Sequence, residues 1–381
     1  MKVSLTDICD FQGGTQPPKD EWIDQPAQGY VRMLQIRDFT QSDKNYIEYV
    51  KDTGKLKTCI EDDILIGRYG ASIGKILTGL AGAYNVAIVK TIPDEKVVSK
   101  KYLYWYLNSQ YFQRFISNVG SRAAQAGFNK NDLGAAQIPL VDKERQEEIC
   151  EVLEKANKLI SLRKQQLAKL DELVKARFVE MFGTFPANPF RWDTGKIQDV
   201  VLDVRYGSSR PAVEGGKYPY LRMNNITYSG ELDLRDTKRI DIPDSELDKC
   251  TVRRGDVLFN RTNSKELVGK TCVYNRDELM VLAGFVIRVR INERIRPEVL
   301  SAFLNMDFSK RMLIGMCKTA IGQANINAKE LQNIDIYIPP IELQDQFVTL
   351  KNKVDQQKQT VQQSLEKLEL MKKALMQEYF G

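Results

Sequence analysis

The sequence predicts an α+β protein written twice. Two similar globular domains are joined by two long helices packed as an antiparallel coiled coil, in a pseudo-twofold internal duplication. Three observations carry this. The grammar of the first half returns roughly 190–200 residues later, a period that means duplicated domains rather than a solenoid. Each half closes on a Gly- and Pro-free stretch rich in Glu, Lys, Gln and Leu, ending in Phe-Gly at Phe182-Gly183 and Phe380-Gly381. Within each stretch apolar residues fall seven apart.

The repeat is visible segment by segment. Tyr30-Val31-Arg32-Met33-Leu34-Gln35-Ile36 returns as Tyr220-Leu221-Arg222-Met223-Asn224-Asn225-Ile226, and Asp63-Ile64-Leu65-Ile66-Gly67-Arg68 as Asp256-Val257-Leu258-Phe259-Asn260-Arg261. Gly74-Lys75 returns as Gly269-Lys270, and Leu107-Asn108 as Leu304-Asn305. Gln125-Ala126-Gly127-Phe128-Asn129 returns as Gln323-Ala324-Asn325-Ile326-Asn327.

The first domain is expected over residues 1–140. Asp63–Ile66 and Val86–Val89 read as strands, and Gly13-Gly14 and Pro17-Pro18 as loops. Tyr102 to Val119 reads as one amphipathic helix, and Ile138-Pro139-Leu140 as a short strand closed by proline. The first long helix is expected over 141–182, with Leu153, Ile160, Leu167, Val174 and Met181 on one stripe, Ala156 and Leu170 between them, and Arg163 and Arg177 interrupting. A helix of about 40 residues spans roughly 60 Å. Residues 183–340 hold a linker and the second domain, which repeats the strand at Asp256–Phe259 and a helix from Glu298 to Met312. The second long helix, 341–381, carries Phe347, Val354, Val361, Leu368 and Leu375 seven apart, with Leu350 and Met371 filling further core positions. Two such helices invite antiparallel pairing as a spacer; the alternative is that each folds back on its own domain.

Composition narrows the function. There is no histidine, which removes the usual general base, the hydrolytic triads and the commonest metal ligand. The six cysteines form no Cys-x-x-Cys pair and read as reduced, mostly buried thiols. No apolar run is long enough for a membrane span and the start lacks a signal peptide, so a cytoplasmic protein is expected. The net charge is +6. Residues 141–182 carry nine basic and nine acidic residues and 341–381 six of each, so the surplus lies in the globular parts, where a nucleic-acid binder needs it.

No constellation supports catalysis. Gly269-Lys270-Thr271 lacks the upstream glycine of a phosphate-binding loop, because that position is Ser264. Asp63 and Asp256 read as strand-opening turns, and Asn188-Pro189-Phe190 as a turn. What recurs instead is groups that contact nucleic acids: Arg for guanine, Asn and Gln for adenine, Ser, Thr, Tyr and Lys for phosphate or base edges. In the first half these are Thr15, Gln16, Arg32, Arg68, Tyr69, Ser72, Lys75, Arg122, Gln125, Asn129 and Lys130. In the second they are Ser208, Arg210, Arg222, Asn224, Arg261, Thr262, Asn263, Ser264, Lys265, Lys270, Gln323, Asn325 and Asn327. Two other classes stay open: a stand-alone DNA nuclease or methyltransferase, and a coiled-coil adaptor without DNA function.

In their order and spacing these features resemble the specificity subunit of type I restriction-modification systems, over essentially the whole chain. The marks are the duplicated Asp-Ile/Val-Leu strand with its Arg loop and Gly-Lys, the Gln-x-x-x-Asn turn, and the passage from proline to glutamine at Pro139–Gln146 and Pro339–Gln346. Met181-Phe182-Gly183 leading to Asn188-Pro189 and Trp192 completes them. The resemblance implies two target-recognition domains, each reading one half of a bipartite site in double-stranded DNA. It implies helices that set the gap and dock two modification (methyltransferase) subunits, with two restriction (translocase and nuclease) subunits added. It implies no catalysis and no cofactor in this chain; S-adenosylmethionine, ATP and Mg2+ belong to the partners. On this reading Lys75, Lys130, Lys265 and Lys270 contact phosphates, and Arg68, Gln125, Arg261, Asn263 and Gln323 read bases.

Overall fold

The computed structural model describes residues 1–41, 46–122, 127–320 and 323–381; the side chains of 120–122 and 318–320 are not described. The chain divides into two units, Met1–Arg163 with Gln363–Gly381, and Lys164–Gln362. Each unit holds one repeat together with a stretch of both long helices.

In the first unit a four-stranded antiparallel sheet runs in the order Cys9–Gly13, Ile88–Pro93, Leu65–Gly67, Ile76–Leu77. A second sheet orders Trp22–Ile23, Tyr49–Lys51, Tyr30–Leu34, Gly82–Tyr84, Thr58–Cys59, with one parallel pairing between Tyr30–Leu34 and Gly82–Tyr84. A two-stranded ribbon of Lys2–Ser4 and Gln137–Pro139 ties the start of the chain to the end of the repeat. Of the apolar face expected here, Leu103, Tyr106, Leu107, Phe112 and Ile116 are buried in the core and Phe115 is half-buried against it. The expected helix is two helices, Lys100–Leu107 and Gln110–Arg122. The chain breaks at Asn108-Ser109, where Ser109 Oγ accepts the Phe112 N–H and so caps the second helix.

The second unit repeats this plan. Its four-stranded sheet orders Val201–Tyr206, Val286–Ile291, Val257–Asn260, Thr271–Val273. Its second sheet again holds one parallel pairing, Tyr218–Leu221 on Met280–Leu282, and the ribbon is Asp193–Lys196 with Asp335–Ile338. The predicted helix from Glu298 is likewise split, into Pro297–Asn305 and Asp307–Met316.

Pairings fix the repeat register. Asp63 and Asp256 each accept a backbone N–H three residues upstream, from Ile60 and Arg253, both at 2.9 Å, as strand-opening turns do. Gly74 N–H donates to Gly67 O at 2.9 Å and Gly269 N–H to Asn260 O at 2.8 Å. One correspondence shifts. Leu34 pairs with Tyr84 and Leu221 with Leu282, and the Thr15 and Ser208 N–H groups donate to those same Tyr84 and Leu282 carbonyls. Leu34 therefore matches Leu221, and the counterpart of Arg222 is Gln35 rather than Arg32. Both Gln35 and Arg222 are the residues preceding a short helix, which confirms the shift.

The long helices run Lys143–Phe182 and Ile341–Phe380 and pack antiparallel. In the first unit Lys372 Nζ donates to Asn157 Oδ1 at 2.8 Å, so the early part of one helix meets the late part of the other. In the second, Phe178 and Phe182 pack edge-on against Phe347, with ring centroids 5.4 Å apart in both cases. Leu153, Ile160, Phe347, Val354 and Val361 are buried; Leu167, Leu170, Val174, Leu368 and Leu375 are half-buried. Met371, placed in the stripe by its spacing, is 46% exposed, while Leu365 is buried in its stead. All six cysteines are free, and only Cys317 is not fully buried.

Candidate nucleic-acid interface

In each unit three predicted loops converge, and a fourth joins them. In the first, the Arg68 N–H donates to Ala87 O at 2.8 Å and its Nε to Phe128 O at 2.9 Å, while Tyr69 bridges Gly127. Thr15 N–H donates to Tyr84 O at 3.0 Å, which brings the 13–16 loop alongside. In the second, Arg261 N–H donates to Phe285 O at 3.0 Å, Ile326 N–H to Arg261 O at 2.9 Å, and Ser208 N–H to Leu282 O at 2.7 Å. Thr262-Asn263 pairs with Ala324-Asn325 as a strand. The close approach at the first loop demands glycine: a Cβ on Gly14 would lie 2.1 Å from Asn85 O, and one on Gly207 2.2 Å from Leu282 O.

The two arginines are held in related ways. The Arg68 guanidinium lies over Tyr69, 5.0 Å from the ring centroid. The Arg261 guanidinium lies over Tyr206 at 4.9 Å, and its Nη2 donates to Asn325 Oδ1 at 3.1 Å. Stacking fixes the plane of a guanidinium, which is what bidentate recognition requires. Tyr69 and Tyr206 remain 39% and 44% exposed. Tyr206, whose residue type alone does not mark it as a contact, sits at the Gly13 position of the first repeat, and its ring is the platform for Arg261.

The other candidates divide by environment. Gln16, Lys75, Asn224, Lys265 and Gln323 are exposed. Lys130 is exposed and pairs with Asp10, whose carboxyl is held below its usual range by that bond. Arg210 is exposed and grips Glu246 through two bonds of 2.7 and 3.2 Å. Arg32, on a strand of the second sheet, bonds Asp38 at 3.1 Å, and Arg222, just beyond the strand Tyr218–Leu221, bonds Asp236 at 3.0 Å. Ser72 and Ser264 are half-buried. Asn263 is pinned to Asn260 Oδ1 at 2.9 Å. Asn129 and Asn327 cap the short helices Lys130–Leu133 and Ala328–Gln332, accepting N–H groups at 3.1 and 2.9 Å. Their recurrence is thus explained by folding.

Three candidates face inward. Lys270 is buried, and its Nζ donates to Met223 O at 3.0 Å and Ile226 O at 2.6 Å. Burial lowers its pKa, and its ammonium ties a loop down rather than facing solvent. Ser208 is buried with its Oγ accepting the Arg210 N–H at 3.2 Å. Thr262 is buried, and its Oγ1 has no hydrogen-bond partner among the described residues. Gln125 lies outside the described residues, and of Arg122 only the backbone is described. Among the described residues no group of three or more metal-ligating side chains stands together, and no helix is long and apolar enough to cross a membrane.

The family model for the type I restriction modification DNA specificity domain matches residues 1–172 and again 189–370, once per repeat. Among curated proteins, the chain is similar to the type I restriction enzyme EcoKI specificity subunit of Escherichia coli (strain K12), 21% identical over 69% of this chain and 60% of that one. It is similar to the putative MjaX specificity subunit of Methanocaldococcus jannaschii, 27% identical over 50% of this chain and 46% of that one. The MjaVIII specificity subunit of the same organism is 24% identical over 98% of this chain and 90% of that one. The matches thus span 60% and 46% of the first two relatives' length. Among solved structures, the type I restriction-modification S subunit from M. genitalium shares the fold with TM-score 0.55 at 15% identity, covering 100% of this chain and 96% of that one. A chain from a study of assembly and conformational transition in a type I R-M system shares it with TM-score 0.60 at 17% identity, covering 100% and 97%.

Proposed function

This chain belongs to the family of type I restriction modification DNA specificity domains, as an S subunit, and we propose that each of its repeats reads one half of a bipartite target in double-stranded DNA. The observation that supports this best is the recurrence, in each unit, of an arginine laid on an aromatic ring where three loops meet. An arginine oriented in this way reads guanine bidentately. Exposed lysines around it, Lys75 and Lys130 in one repeat and Lys265 in the other, contact phosphates and fix register. The loops differ between repeats: Tyr69 is the ring under Arg68, while Tyr206 and Asn325 hold Arg261. The two half-sites are therefore different sequences.

The long helices dock two modification subunits, which supply S-adenosylmethionine and adenine methylation, and two restriction subunits bring ATP, Mg2+, translocation and cleavage. The chain itself carries no catalysis. The test is to purify the chain with its modification partner and measure duplex binding as salt rises. A steep loss of affinity with salt, together with preference for a bipartite sequence, is expected. Assembly with the partner but no duplex binding would leave the adaptor reading in its place.

A further inference from the structure

The second repeat carries an exposed aromatic that the reading above leaves unused. Phe285 follows Gly284 in the turn between Met280–Leu282 and Val286–Ile291, and it is 50% exposed. Its carbonyl accepts from the Arg261 N–H at 3.0 Å and from Asn260 Nδ2 at 3.2 Å. The turn is braced from the other side, with Gly284 N–H donating to Ser208 O at 2.7 Å and Val286 N–H to Ala283 O at 2.9 Å. Its backbone is therefore fixed beside an arginine whose guanidinium is itself fixed by Tyr206 and Asn325. In the first repeat the residue whose carbonyl accepts from the equivalent arginine is Ala87, so the large ring belongs to the second repeat alone.

A phenyl ring offers neither donor nor acceptor, so it cannot read a hydrogen-bonding pattern. The apolar group that a base edge presents in the major groove is the thymine C5-methyl. We propose that Phe285 is a specificity-determining residue of the second repeat, packing on the methyl of a thymine beside the base pair contacted by Arg261. This rests on the DNA-reading function proposed above.

The test uses the complex of this chain with its modification partner, as wild type, Phe285→Ala and Phe285→Leu. The probe is a duplex carrying the motif mapped by methylation sequencing, with each thymine singly replaced by deoxyuridine, which removes the methyl and nothing else. The second half-site is identified as the one whose recognition changes in Arg261→Ala. One replacement there is expected to weaken wild-type binding about fourfold, the worth of one buried methyl-sized group. The same replacement leaves Phe285→Ala unaffected and still weakens Phe285→Leu, which keeps an apolar side chain. Thermal unfolding of the variants separates a lost contact from a damaged fold. If no replacement in that half-site distinguishes wild type from Phe285→Ala while the motif is still bound, the role of Phe285 is refuted and the DNA-reading function stands. If the wild-type complex recognises no motif, both fail together.

Discussion

Gln146 and Gln344 make the same three hydrogen bonds, each at the start of a long helix. Gln146 Oε1 accepts the Ser99 N–H, and its Nε2 donates to Val97 O and Val141 O, all at 2.9 Å. Gln344 Oε1 accepts the Arg296 N–H at 2.7 Å, and its Nε2 donates to Arg294 O at 3.0 Å and Pro339 O at 2.7 Å. Both side chains are fully buried. Each amide thus fastens a long helix to the turn that precedes the core helix of its own repeat. The glutamine singled out by sequence spacing, Gln346, is exposed; its neighbour Gln344 does the work.

Truncating either fully buried amide leaves three backbone groups without their side-chain partner. Gln146→Ala and Gln344→Ala are each expected to lower unfolding free energy by about 2–4 kcal/mol, measured by urea denaturation. Gln346→Ala should stay within about 0.5 kcal/mol of wild type. Equal effects at 344 and 346 would contradict this assignment.

Lys358 is a charge set into the helix seam. Its ammonium is nearly buried and pairs with Asp171 of the other long helix and with Glu231 of the recognition repeat. Burial works against its charge, but the two carboxylates outweigh it and hold its pKa above the ordinary value. The stability this adds is full below the unfolded lysine value and is lost as pH rises through the folded one. Lys358→Ala is expected to cost about 1–3 kcal/mol near neutral pH, because it leaves two carboxylates facing each other. A thermal melt unchanged from wild type at pH 7 would count against the clamp.

Lys310 behaves in the opposite sense. Its Nζ donates to Gly269 O at 3.0 Å, whereas the first repeat uses Gln113, whose Nε2 donates to Gly74 O at 2.9 Å. Burial, with Lys270 and Lys175 nearby, pulls the Lys310 pKa down to about 8. Between that value and the ordinary one near 10.5 the unfolded chain holds a proton that the folded chain does not, so stability rises with pH across this window. Lys310→Gln should remove the Lys310 share of that rise, leaving the share due to Lys270, and be the more stable protein at pH 7, by on the order of 1–3 kcal/mol. Melting curves of both proteins from pH 7 to 10 check it; Lys270 remains in both, so the difference isolates Lys310.

How much was legible follows from what the patterns encode. The Asp-x-Leu strand, the Gly-Lys turn and the asparagine caps were placed in register because each needs its residue type for its own backbone geometry. The Tyr30 and Tyr220 segments misled by three positions: side-chain likeness in a strand does not report which carbonyl it pairs with. The helix breaks at Asn108-Ser109 and at Met306 were invisible because the helices on either side face the same core, so apolar spacing continues across them. Phe178, Phe182 and Phe380 escaped the heptad reading because the last turns of each long helix also pack into the core of a recognition repeat, which apolar spacing along the helix does not encode. Among site residues, chemistry alone could not separate outward lysines such as Lys265 from Lys270, whose charge is spent on two carbonyls.

The most direct test of the central claim is methylation sequencing of cells carrying this chain with its modification partner, as wild type, Arg68→Ala and Arg261→Ala. The account predicts a bipartite motif for wild type. Each variant should relax recognition in one half-site only, and a different half for each, with a loss of about 1–3 kcal/mol at one base pair. Variants that weaken methylation evenly over the whole motif would make both arginines phosphate contacts. No motif at all, with the partner shown to be bound, would contradict the account.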